Sequence, residues 1–206
     1  MINIENIVNA IVDEIKAKHS VLVEASGRHV HLSKQDAETL FGAGYNFKIK
    51  KELSQPGQYA YEERVSITGP KGVIRNVAIL GPCRKNTQVE VSATDARILG
   101  INAPIRLSGD IENTPGCTIS TDKASIDAPK GVIIAKRHIH VTPEDAERFN
   151  IKNNDELKLK VFADRPLIFE GVTARISDKF STSVHIDYDE ANACGFNSDT
   201  VGLIIQ

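Results

Sequence analysis

The sequence predicts a mainly β (α+β) fold of two pseudo-repeated, small β-barrel-like domains with short helices and an active site between them. Three observations lead there. RHVHLSKQDAETLF, from Arg28 to Phe41, recurs 109 positions later as RHIHVTPEDAERF, Arg137 to Phe149. TQVEVSATDARILG, Thr87 to Gly100, recurs 95 positions later as TSVHIDYDEANACG, Thr182 to Gly195. Between these copies lie short runs that alternate or are rich in β-branched residues, punctuated by Gly and Pro, as expected of small barrels.

A chain of 206 residues suits two domains of about 100 residues each. The expected division is an N-terminal helix over 1–20 packed on the first domain, a first domain over 21–112, a connector over 113–130 and a second domain over 131–206. A net charge of −2 points away from nucleic acid and anionic membranes. No apolar run approaches the ~20 residues of a membrane span, and no secretory signal is legible, so the expected location is cytoplasmic. Cys83, Cys117 and Cys194 are odd in number and form no C-x-x-C, which argues against a disulfide framework or a thiolate zinc ribbon.

In chain order, Ile4, Ile7, Val8, Ile11, Val12 and Ile15 form one stripe of an amphipathic helix. It reads as a domain helix, with a docking or targeting helix as the sharper alternative. His19 reads as a solvated helix end. Val21 to Leu32 is a strand interrupted by the small corner Ala25-Ser26-Gly27. Ser33 and Thr142 then read as helix N-caps, with Pro143 at a first helical position where its missing N–H costs nothing. Strands are expected over 47–53, 63–68, 73–80 and 88–91, and a helix over 94–100. In the second half, strands are expected over 157–162, 167–169, 172–176 and 183–187, followed by a helix starting near Asp189.

The repeats carry the chemistry. In an extended chain alternate side chains share a face, so His29 and His31 project together, as do His138 and His140, while Val30 and Ile139 point to a core. The second repeat sets Glu90 opposite His185. Each half thereby offers three ligands and an open position, the pattern of a catalytic zinc site: His29, His31 and Glu90 in one, His138, His140 and His185 in the other. Arg84 follows a Gly-Pro turn six residues before Glu90, and a guanidinium there suits bidentate binding of phosphate or carboxylate.

The segments SGRHVHLS, GPKG, LGPCRKNTQVEVSATDA, KRHIHV and VHIDYDEANACG resemble the signatures of the phosphate propanoyltransferase family, the PduL-type phosphotransacylases, over Val21 to Ile205. The resemblance implies two zinc ions and reversible transfer of a short acyl group between coenzyme A and phosphate, giving an acyl phosphate. It assigns His29, His31 and Glu90 to one zinc and His138, His140 and His185 to the other, with Arg84 as the catalytic phosphate contact. It also implies coenzyme A contacts at Ala25, Ser26, Gly27, Lys71 and Asn192. Direct, zinc-assisted attack of phosphate on the thioester is the expected route, because nothing in sequence pairs Cys83 with a base.

Members destined for bacterial microcompartments commonly carry an extra N-terminal amphipathic peptide, whereas here the first helix leads almost directly into a strand. Residence in the cytoplasm and inside a microcompartment, as cargo or against its shell, both stay open. So do homo-oligomer formation, the preference for propanoyl or acetyl, the native metal and the physiological direction. A dinuclear zinc hydrolase is the enzymatic alternative, and a double cupin-like metal-binding module the non-enzymatic one. The first conflicts with the length of an α/β barrel, the second with Glu38 and Glu147 lying seven positions beyond His31 and His140.

Overall fold

The computed structural model describes residues 4–205. The first part of the chain forms α1 (Ile4–His19), β1 (Ser20–Ser26), β2 (His29–His31), α2 (Lys34–Phe41), β3 (Ile49–Glu52), β4 (Tyr59–Thr68), β5 (Val73–Gly81), β6 (Gln88–Val91) and α3 (Ala93–Leu99). Next come β7 (Ile105–Arg106), β8 (Cys117–Ser120), β9 (Ser125–Ala128) and β10 (Val132–Ala135). The remainder is β11 (His138–Val141), α4 (Pro143–Phe149), β12 (Glu156–Phe162), β13 (Leu167–Ile176), β14 (Ser183–Asp187), α5 (Tyr188–Cys194) and β15 (Val201–Ile205).

These elements fall into two compact units. One contains residues 26–136 and 187–189, the other residues 1–25, 137–186 and 190–206. In the first, a curled sheet runs β7-β10-β6-β2-β5-β4-β8-β9, with β3 on β4. In the second, six strands close in the order β1-β14-β11-β13-β12-β15. The two barrel-like domains are therefore present, one closed and the other a half-barrel.

The division departs from the sequence reading in two places. β1 was expected with the first domain, yet it pairs antiparallel with β15, Ser20 opposite Leu203 and Leu22 opposite Val201. Its Val21 and Val23 are buried in the core of the closed barrel beside Ile139, Val141, Val184 and Ile186. α1 goes with it, packing on α4 and β15. Ile4, Ile7 and Val8 are exposed, and the side chains of Ile11, Val12 and Ile15 lie outside the described residues. His19, expected at a solvated end, is partly buried with its ring 6.2 Å from that of Phe149.

The second departure is the connector, which is a hairpin. β8 and β9 pair with each other, and β8 extends the open sheet through β4, Ile119 opposite Ile67. Ile119 and Ile67 are both fully buried, each burial contributing roughly 1.5–3 kcal/mol.

The repeats are structural as well as textual. β2 runs parallel to β5 and antiparallel to β6, with His29 opposite Ala78 and Glu90. β11 runs parallel to β13 and antiparallel to β14, with His138 opposite Thr173 and His185. The helix caps repeat too: Ser33 and Thr142 accept from the backbone of Asp36 and Asp145. Their own amides donate to Thr87 and Thr182 Oγ1, at 2.8 and 3.1 Å. The two runs expected over 167–176 are one strand, β13. Its register against β12 shifts between Leu157 and Leu159, and Gly171, at φ 68°, takes the left-handed backbone such a bulge requires.

Candidate active site

In the open-sheet unit, Val30, Val89 and Val91 are buried in the core, so alternation turns His29, His31 and Glu90 together onto the opposite face. His29 Nδ1 lies 2.8 Å from the Gly27 carbonyl oxygen, which holds the Nδ1–H tautomer and leaves the Nε2 lone pair for a ligand. The Nε2 atoms of His29 and His31 are 3.2 Å apart. Glu90 oxygens lie 3.5 Å from the first and 3.9 Å from the second. The ligand atoms of all three residues fall within 4.8 Å of one another.

Two imidazole nitrogens on a tetrahedral zinc, at bonds of ~2.0–2.1 Å, stand about 3.3 Å apart. The donors present therefore suit such an ion.

All three side chains are buried, and their electrostatics are coupled. Burial opposes charge on His29, but the Glu90 carboxylate and the Gly27 carbonyl outweigh it and raise the ring above its ordinary range. Glu90 is likewise held well below the usual carboxylate range, because His29, His31 and Ser108 overcome its desolvation. His31 is driven well down by burial, by His29 and by Arg84. A neutral imidazole and an ionised carboxylate are the ligand forms a metal needs.

Glu90 is fixed by Gln88 Nε2 at 2.6 Å and by the Ser108 hydroxyl at 2.8 Å, both reaching Oε1. Gln88 is oriented by the Gly109 amide, which donates to its Oε1 at 2.8 Å. Arg84 donates from Nη1 to the same Ser108 Oγ at 2.9 Å, and its backbone N–H is held by the Leu32 carbonyl at 2.9 Å. One serine thus joins the Arg84 guanidinium to the Glu90 carboxylate. A cavity of about 270 Å³, lined by His31, Pro56, Gly57, Gln58 and Arg84, opens beside them.

The closed barrel carries the second trio expected from the repeats; among the described residues only His29, His31 and Glu90 bring their ligand atoms within 4.8 Å of one another. Ile139, Val141, Val184 and Ile186 fill its core, so His138, His140, Ser183 and His185 project from the other face of β11 and β14. The three rings cluster with centroids 4.7 Å (His138, His140), 4.8 Å (His140, His185) and 5.2 Å (His138, His185) apart. Phe180 covers His140 with its ring 4.2 Å away. Burial first, then the neighbouring His138, His185 and Arg175, push His140 down to about 2, so this ring is neutral. Its Nδ1 is buried with no hydrogen-bond partner.

Residues 22–197 match the family described as Phosphate propanoyltransferase. The chain belongs to that family. Three of the relatives that carry the same description illustrate the similarity. The protein of Clostridioides difficile is 54% identical over 206 residues, covering 98% of this chain and 99% of that one. The Listeria monocytogenes protein is 51% identical over 204 residues, covering 97% and 96%. The Thermotoga maritima protein is 50% identical over 193 residues, covering 93% and 92%. The chain is accordingly a transferase enzyme.

The coenzyme A contacts implied by resemblance to the phosphate propanoyltransferases are distributed over both units. Ser26, Gly27 and Lys71 lie in the open-sheet unit, and Ala25 and Asn192 in the closed-barrel unit. A Cβ on Gly27 would stand 2.9 Å from the Tyr188 ring, so a larger residue there would displace this exposed side chain. Lys71 and Asn192 are exposed. The Lys71 amide bonds the Leu99 carbonyl at 3.0 Å, which docks the β4–β5 turn on the end of α3.

Sequence reasoning passed over Gln88, Ser108, Ser183 and Glu24. Gln88 lies two positions before Glu90 in a strand and so shares its face, a signal that was available. Ser108 follows β7 in a stretch without periodicity, and nothing local marks it.

Proposed function

We propose that this enzyme transfers a short acyl group, propanoyl or acetyl, between coenzyme A and phosphate. In the forward direction a phosphate oxygen bonds to the thioester carbonyl carbon, the carbon–sulfur bond breaks, and coenzyme A leaves as the thiolate. The Arg84–Ser108–Glu90 network beside His29 and His31 carries this reading, because it sets an anion-binding guanidinium next to a metal-type donor set at one cavity.

Arg84, held by Ser108, binds and orients phosphate and lowers the entropic barrier to attack. Gln88 and Ser108 hold Glu90 with its oxygens toward the histidines. We assign His29, His31 and Glu90 to one zinc and His138, His140 and His185 to a second; zinc bound there supplies Lewis acidity and a soft partner for thiolate. Ala25, Ser26, Gly27, Lys71 and Asn192 are the proposed coenzyme A contacts.

The reading needs no protein nucleophile. Partial desolvation raises the Cys83 thiol against a backbone hydrogen bond and Lys34, which lower it, and a raised thiol offers less thiolate for attack. The packing of α1 on α4 and β15 favours a domain helix over a targeting peptide. Deleting α1 is expected to destabilise the fold, whereas loss of microcompartment encapsulation from a stably folded protein would reverse that assignment.

The test is thiol release from propanoyl-CoA and acetyl-CoA, with phosphate present or omitted. Release that depends on phosphate, and that persists in Cys83→Ser, is the expected result. Release without phosphate would instead identify a thioester hydrolase, and loss of turnover in a metal-replete Cys83→Ser would indicate an acyl-enzyme.

A further inference from the structure

β1 brings a carboxylate to the His138–His140–His185 cluster that neither the repeat nor the family resemblance assigns. Val21 and Val23 point into the closed barrel, so Glu24 projects from the opposite face, and β1 is the hydrogen-bonded neighbour of β14. There the Ser183 hydroxyl donates to Glu24 Oε2 at 3.2 Å. The same Ser183 Oγ lies 3.1 Å from His185 Nε2, and Glu24 Oε2 is 3.6 Å from that nitrogen. A serine hydroxyl has one proton. With that proton given to the carboxylate, the Ser183–His185 bond forms only if His185 Nε2 carries a hydrogen and donates it. The chain His185 Nε2–H to Ser183 Oγ–H to Glu24 therefore fixes the proton of His185 on Nε2 and holds the orientation of its ring.

We propose that Glu24 is a positioning residue of the second metal site, acting on His185 through the Ser183 hydroxyl. The inference rests on the assignment of His138, His140 and His185 to a metal. A carboxylate behind a ligand histidine fixes its ring and raises its basicity, and removing such a partner typically weakens metal binding 10–100-fold. Ser183 is buried and Glu24 only partly so. The hydroxyl is the sheltered member of the pair, and the carboxylate its anchor.

The experiment is titration of the metal-depleted full-length protein with cobalt(II), followed by its visible absorption, and with zinc in competition with a chromophoric chelator. Wild type is expected to take up two equivalents, with His138→Ala identifying which belongs to the closed barrel. Glu24→Gln and Ser183→Ala should each weaken that equivalent about tenfold or more and alter its cobalt spectrum. The double variant should be no weaker than either single one, since both break one chain. The metal-free variants should unfold at the wild-type midpoint, which separates an effect on the site from one on the barrel.

Wild-type affinity and spectrum in Glu24→Gln, with two equivalents still bound by wild type, would overturn this inference alone. Weakening in Glu24→Gln but not in Ser183→Ala would overturn the relay and make Glu24 a direct ligand. Uptake of one equivalent by wild type would remove the second site itself.

Discussion

The two halves place a third donor side chain at the same topological position and differ in its chemistry. Glu90 on β6 faces His29 across an antiparallel pair, and His185 on β14 faces His138 in the same way. The open sheet thereby assembles an anionic set, two imidazoles and a carboxylate, with the carboxylate held by Gln88 and Ser108. The closed barrel assembles three imidazoles, with the carboxylate Glu24 withdrawn behind a serine. A divalent ion keeps more of its positive charge among neutral imidazoles than beside a carboxylate. The repeated scaffold thus presents two donor clusters of different charge.

Arg84 is where the halves differ most. Ninety-five positions on, the barrel has Lys179, which is exposed. Arg84→Ala should lower kcat/KM for phosphate-dependent thiol release by about 10²–10³, the usual cost of removing one oxyanion-binding donor. Arg84→Lys should recover only part of this, since an ammonium lacks the planar fork. Equal losses in Lys179→Ala would dissolve the contrast.

Gln88 supports the anionic set alone. Gln88→Ala should weaken one metal equivalent about 10–100-fold and leave the other unchanged by zinc competition. Weakening of both would show that the sites do not bind independently.

A smaller effect separates the paired arginines that open each copy of the repeat. Arg28 bonds Asp95 at 3.1 Å, and Asp95 also closes the capping box of α3 with Ser92. Arg137 bonds Glu190 at 2.5 Å. Asp95→Ala loses a cap and an ion pair and should cost about 1–2 kcal/mol in urea unfolding. Glu190→Ala should cost about 1 kcal/mol or less, as expected of a partly exposed pair.

The smallest difference lies in the thiols. Burial pushes Cys117 in the open sheet up to about 12, and Cys194 is buried in the barrel. Native protein at pH 8 should therefore be alkylated first at exposed Cys83, with Cys117 and Cys194 reacting only on unfolding, as peptide mapping would detect.

What the sequence disclosed follows the range of the forces involved. Alternation is local, so the outward faces of His29, His31, His138 and His140 were legible, and two repeat offsets were enough to bring in Glu90 and His185. Cap chemistry is equally local, and Ser33 and Thr142 begin helices as expected. Strand pairing is not local. Nothing in Ser20–Ser26 states that its partner is Val201–Ile205, so α1 and β1 were given to the wrong unit and Glu24 went unnoticed. The hairpin β8–β9 carries polar, turn-rich composition that reads as a connector, because only its pairing with β4 makes it a strand. Ser108 is joined to Arg84 and Glu90 through space alone.

The central claim is that each half holds one metal through its own set of three ligands. Native mass spectrometry of zinc-replete wild type, Glu90→Ala and His185→Ala tests it most directly. Two, one and one zinc ions per chain are expected, with the folded charge-state distribution retained throughout. A single zinc in wild type, or two zincs persisting in either variant, would contradict it.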